Sequence, residues 1–173
     1  MCGDSVYDAE VVYPFIDLRG HISAVITHRL PMDETVEIQS CDSPARLLLS
    51  DLSYDGSGQD SWASFVATIE DDGLHANVRV FDLGPESLVD LFEQMNEEYR
   101  GWDGAKTWKS IEGQMALSCT SDRSGHAFVE VVLRPDLRPD RWEVNSRLRI
   151  DAGQHDRIAK RLARWVNAKQ SAS

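Results

Sequence analysis

Cysteine is scarce in this chain of 173 residues: there are three, Cys2, Cys41 and Cys119, and no two of them form a CxxC pair. A cysteine-type structural zinc site and a dithiol redox motif are therefore excluded. Apolar runs never approach the roughly 20 residues needed to cross a bilayer, so no membrane partner is expected. The opening residues, Met1 to Glu10, lack the basic start and apolar middle of a signal peptide. A cytoplasmic location is the expectation.

Catalytic signatures are missing too. The sequence has no GxSxG elbow, no HExxH helix, no P-loop string and no GxGxxG ahead of a helix. Its five histidines, His21, His28, His75, His126 and His155, show no metal-ligand spacing. No catalytic residue, metal or cofactor is expected. His155 opens the final helix near Asp151 and Asp156, and reads as a solvated first-turn residue.

Positive charge is also in short supply, with 18 Lys and Arg against 29 Asp and Glu, a net charge of −11. Phosphate binding needs a concentrated basic surface, so nucleic acid is set aside as a partner. An acidic protein suits a basic protein partner, although excess acid also serves solubility alone.

What is present is ordinary for a soluble domain: 42% hydrophobic and 27% charged residues, and length enough to bury a core. Residues 1–34 read poorly. Val11 to Phe15 and Ile22 to Ile26 are strand candidates interrupted by Pro14 and followed by Pro31. The rest, 35–173, reads as a single α+β domain.

Within it Val36 and Ile38 alternate with Glu37 and Gln39, and Ser43-Pro44 turns the chain into Arg46 to Leu52. Tyr54 to Asp60 is a loop by composition. Trp62–Glu70 and Leu74–Asp82 form a hairpin, with Ala63, Phe65, Ala67 and Ile69 on one face and Asp71-Asp72-Gly73 at the turn. Gly84-Pro85 opens a helix whose apolar stripe is Leu88, Leu91, Phe92, Met95 and Tyr99. Glu97 and Glu98 close it, where the helix dipole disfavours negative charge.

Past the segment Arg100 to Cys119 the order recurs. Gln114–Thr120 places Met115, Leu117 and Cys119 together, Asp122 to Gly125 turns, and Ala127, Val129, Val131 and Leu133 line the next strand. Glu112, beside Gly113, reads as a turn carboxylate. The Pro-rich 134–140 is an extended connection, and Trp142 to Ile150 alternates as a last strand with Trp142 facing in. A final helix, 152–168, carries Ile158, Leu162, Trp165 and Val166 inward. One-sided strands joined by short connections indicate antiparallel sheet.

The expected fold is therefore α+β: antiparallel sheet, as two sheets or one curved sheet, with two amphipathic helices packed on one side. A ββββα order is read twice, over 35–100 and 101–168; a closed barrel with helical plugs is the competing architecture. Asn77-Val-Arg79 before Asp82-Leu-Gly84 and Asn145-Ser-Arg147 before Asp151-Ala-Gly153 suit either a duplication or a chance match.

Two sets of residues are candidates for interaction. Trp102 and Asp103 sit between Gly101 and Gly104, so the indole either stands at a loop tip as an interface anchor or folds back over the helix end to plug the core. His75, Asn77 and Arg79 from one half, with Glu143, Asn145 and Arg147 from the other, would form a polar binding face if the halves were related by a twofold. Read apart, they are wet sheet faces with cross-strand charge pairs.

The string Arg100-Gly-Trp-Asp-Gly104, Trp108-Lys-Ser110, Glu112-Gly113, Gly125-His126, Trp142-Glu-Val144 and Asp151-Ala-Gly153 resembles a family of small uncharacterised bacterial proteins, a domain of unknown function common in high-GC Gram-positive genomes. The likeness spans Thr35 to Val166. It implies no catalytic assignment. Members are similar in style to immunity proteins that neutralise toxins, an analogy only.

The function expected first is a non-enzymatic binding protein, in its specific form an immunity-type inhibitor of a basic protein. A small-molecule-binding domain or hydrolase, with a pocket between sheet and helices lined by Trp62, Trp108 and Trp142, is the second reading. A structural homodimer is the third.

Overall fold

A computed structural model describes residues 35–55, 62–122 and 124–170, and every structural statement below concerns these. The strand candidates of 1–34, together with His21 and His28, lie outside them. Eight strands and two helices follow in the order β1 (Val36–Gln39), β2 (Arg46–Asp55), β3 (Trp62–Asp71), β4 (Leu74–Asp82), α1 (Glu86–Glu97), β5 (Lys106–Lys109), β6 (Met115–Ser121), β7 (Ala127–Leu133), β8 (Val144–Ile150) and α2 (Ala152–Gln170). The strands form two separate four-stranded antiparallel sheets, β1-β2-β3-β4 and β5-β6-β7-β8, so the α+β reading with two ββββα halves holds.

Alternation builds the sheets. Along β3, Ala63, Phe65, Ala67 and Ile69 are all but completely buried, and along β7 so are Ala127, Val129, Val131 and Leu133. Each of these strands thus turns one apolar, fully buried row inward and a second, more exposed row outward. Gly73 holds the β3–β4 turn at φ 71°, a left-handed conformation that glycine adopts without the Cβ penalty. Strand β2 slips register between Ser50 and Ser53, and Asp51 stands at φ 54°, so it carries a bulge. Tyr54 and Asp55 belong to β2, which corrects their reading as loop: Tyr54 pairs with Ala63 and Asp55 with Trp62.

The helices bring the halves together. In α1, Leu88, Leu91, Phe92 and Met95 are buried; in α2, Ile158, Leu162, Trp165 and Val166. The two helices pack on each other, and each leans on the sheet of the other half: α2 on β1 and β2, α1 on β5. Side chains mark this crossing. Phe65 of β3 meets Trp165 of α2 edge to face, centroids 5.6 Å apart at 83°, and the Trp108 indole of β5 donates to Ser87 Oγ of α1 at 2.8 Å. All the buried apolar residues form one core.

Three expectations about single residues need correction. Tyr99 lies past the end of α1 and is 43% exposed, because the helix stops at Glu97. Trp142 precedes β8 and is 42% exposed, since turns carry the chain from Pro139 to Arg141 and pairing begins only at Val144. His155 is 2% exposed rather than solvated. Its Nδ1 donates to Met95 O at 3.1 Å, because the first turn of α2 abuts the last turn of α1.

The two Asp-x-Gly strings prove to be positioned differently. Asp82 ends β4, and Leu83, Gly84 and Pro85 follow before α1 begins. Asp151 is itself the one residue between β8 and α2, and Gly153 is already helical.

Candidate functional site

The outer surface of α1 is one-sided in charge. Its sequence ESLVDLFEQMNE contains no basic residue. Burying Leu88, Leu91, Phe92 and Met95 turns Glu86, Asp90, Glu93 and Glu97 outward, at spacings of four, three and four, onto one exposed stripe. Asp90, Glu93 and Glu97 enter no ion pair among the described residues. Glu98, which caps the helix, pairs instead with Lys106 at 2.9 Å. Leu83 just before α1 is 59% exposed and Tyr99 just after it 43%. An acidic stripe is thus bracketed by two exposed apolar side chains.

This stripe belongs to a larger division of charge. Residues 35–100 hold fourteen acidic and three basic side chains, whereas residues 101–168 hold nine and twelve. Within residues 35–168 the net acidity therefore resides in the first half, and the second half is mildly basic. On the outer face of the second sheet two cross-strand rows lie side by side: Lys109–Ala116–Val132–Asn145 and Thr107–Ser118–Glu130–Arg147. Ala116, Ser118 and Val132 fill the middle together with the Glu130 carboxylate, Lys109 and Arg147 stand at opposite corners, and a shallow depression of about 380 Å³ opens over the floor. The Arg147 guanidinium lies 4.3 Å from the Phe128 ring.

The residues singled out from the sequence fall as follows. His75, Asn77 and Arg79 all point outward on β4, with His75 Nδ1 3.3 Å from Glu70 and Arg79 donating to Ser64 Oγ at 3.3 Å. Asn145 and Arg147 point outward on β8; Glu143 precedes that strand and pairs with Arg134 at 3.1 Å. Because β4 and β8 are edge strands of different sheets, no single sheet carries both sets. Trp102 folds back: it is 7% exposed, and its indole donates to Cys119 O at 3.2 Å. Gly101 and Gly104, at φ 117° and 75°, make that return possible, and Asp103 between them is exposed. Of the three tryptophans assigned to a pocket, Trp108 sits in the core, whereas Trp62 and Trp142 are exposed.

Titratable groups show several perturbed sites. Burial pushes the Cys119 thiol up to about 12. Cys41 is raised as well, by burial and then by the Asp151 carboxylate that accepts its hydrogen bond at 3.2 Å, so neither thiol is primed as a thiolate. Asp82 is raised by burial, and among the described residues its Oδ2 has no hydrogen-bond partner. Asp122 is held well below the usual carboxylate range by Ser124 and His126, which donate to it across the β6–β7 turn. Glu112 is exposed and accepts from the Gln114 side chain at 2.7 Å. Among the described residues, no three His, Cys, Asp or Glu side chains are grouped to hold a metal ion, and no helix is long and apolar enough to cross a membrane.

Two features escaped the sequence reading, and both had a signal. The charge division is hidden by the overall −11 and emerges when each half is counted by itself. His155 lies three and seven residues before Ile158 and Leu162, on the buried stripe of α2.

Residues 38–169 match the sequence model of a family of unknown function, DUF6228. No curated protein matches. Among solved structures, that of the plant transcriptional regulator PBF-2 superposes over 80% of this chain and 83% of that one, with 7% identity and a TM-score of 0.44. A likeness at that level carries no functional argument.

Proposed function

The chain belongs to DUF6228, a family whose function is unknown, and we propose that it is a non-enzymatic interaction protein that holds a basic protein partner on the outer surface of α1. The specific form is an immunity-type inhibitor acting in the cytoplasm.

The observation that carries this reading is the stripe of Glu86, Asp90, Glu93 and Glu97 in a helix without a basic residue. Like charges at three- and four-residue spacing cost an isolated helix about 0.2–0.5 kcal/mol per pair. Glu97 in the last turn also opposes the helix dipole. A basic partner relieves both costs on binding, and it steers encounter from a distance. Exposed Leu83 and Tyr99 supply apolar anchors at either end of the stripe.

The test is affinity capture from native lysate at low salt, with the wild-type chain and with Asp90→Lys plus Glu93→Lys. The expected result is one stoichiometric basic protein retained by the wild type and lost by the variant. Capture of no such protein, or equal capture by both chains, sinks the reading.

A further inference from the structure

We infer that the outer face of the second sheet is a docking site for a second copy of this chain, received through the acidic stripe of its α1. The inference rests on the reading of α1 as a docking surface, and it names a basic surface that fits.

The two surfaces complement each other in sign. Apart from Glu130, the charged side chains on this sheet face are Lys109, Arg147 and Arg149, and no ion pair holds Lys109 or Arg147 among the described residues. The first half of the chain supplies the opposite sign. The spans agree as well. From Glu86 to Glu97 a helix rises about 16 Å at 1.5 Å per residue. Lys109 and Arg147 stand three strands and two residues apart, also about 16 Å at ordinary strand spacings.

The floor between the two cations is low. Ala116 and Ser118 occupy its middle, Val132 adds an apolar side chain, and the depression holds about 380 Å³. A helix can therefore approach the sheet closely with its carboxylates reaching the corners. Glu130 is the one repulsive group on the floor, directly across from Arg147 in register. The contact joins unlike surfaces, so two copies related by a twofold axis would make it twice.

Sedimentation of the full chain over a concentration series, in about 0.1 M salt where the Debye length is about 10 Å, tests this. That salt screens the repulsion between two copies of net charge −11 and leaves short-range pairs in place. Self-association is expected, with loss at about 1 M salt. Lys109→Glu with Arg147→Glu should weaken it about tenfold or more, and Asp90→Lys with Glu93→Lys should do the same. Mixing the two variants should restore a complex, because the reversed helix meets a reversed sheet. Glu130→Gln should tighten the wild-type association.

Thermal unfolding checks that each variant is folded; should the reversed sheet fail to fold, Lys109→Ala with Arg147→Ala reads the same contact. A chain that stays monomeric overturns the inference, as does association indifferent to Lys109 and Arg147. Dissociation by Arg157→Glu with Arg164→Glu alone overturns it too, by moving the contact to α2. None of these results touches the capture experiment on α1, which fails only if no basic partner is held there.

Discussion

Residues 35–100 and 101–168 build the same succession of four antiparallel strands and a helix, yet they differ in nearly everything the surface presents. The first half carries fourteen acids against three bases, and the second nine against twelve. The helix of the first is acidic on its outer stripe; that of the second shows Arg157, Lys160 and Arg164 there. The first sheet has a bulge in β2, whereas β6 pairs without a slip. Inside, the two halves converge on one requirement, an apolar row per strand and an apolar stripe per helix. Core chemistry is dictated by the shared architecture and leaves the outer faces free to diverge in charge.

The crossed helices make that comparison breakable. If each helix covered its own sheet, the halves would be two small domains with separate stabilities. Instead Phe65 of the first sheet packs on Trp165 of the second half's helix. Phe65→Ala should therefore destabilise the whole molecule by about 3–5 kcal/mol, in a single transition seen alike by tryptophan fluorescence and far-UV circular dichroism in urea. Two separated transitions, with the second half unmoved, would show that the halves stand alone.

Single carboxylates sharpen the contrast with smaller effects and opposite signs. Asp82, in the first half, is buried and raised by that burial, so the folded state favours its protonated form. Its penalty is fully present above the raised folded value and vanishes below the unfolded value of about 3.9. Asp82→Asn should accordingly raise the melting temperature at pH 7 and lose its advantage as pH falls below about 4.

Asp122, in the second half, is lowered by Ser124 and His126. Its stabilisation is present above the unfolded value and lost as pH falls through the lower folded value. Asp122→Asn should lower the melting temperature at pH 7, with the deficit fading in strong acid. Melting curves of both variants between neutral and acid pH decide the matter; shifts of the same sign at pH 7 would contradict the burial and hydrogen-bond assignments.

The fold was legible wherever one residue's neighbours in sequence decide its side. Phe65, Val131 and Leu148 sit inward as alternation requires, and the stripe from Leu88 to Met95 reads directly as a buried helix face. The misreadings arise where a distant element decides. Trp142 alternates correctly with Val144, but β7 offers it no partner beyond Leu133, so the strand starts later. His155 looked like a solvated first-turn group until α1 supplied Met95 O. The split into two sheets and the exchange of helices between them depend on packing that no local pattern encodes. The acidic stripe is equally local, since Glu86, Asp90, Glu93 and Glu97 follow the same three- and four-residue spacing as the apolar stripe on the opposite side of the helix.

The smallest expected effect separates a docking surface from a merely solvated one. On α1, Glu93→Lys replaces a carboxylate that faces Asp90 and Glu97 at three and four residues by an ammonium that can pair with both. The helix should gain about 0.2–0.5 kcal/mol per pair. On α2, Lys160→Glu removes the Lys160–Asp156 pair, 2.7 Å long, and should cost a similar few tenths. If the acid on α1 serves only solubility, Glu93→Lys improves the fold and nothing else changes. If it is a docking surface, the same substitution stabilises the chain while weakening capture of a basic partner. Urea titration and binding measured on one protein preparation read both quantities, and a stabilised variant with undiminished binding would place the partner elsewhere.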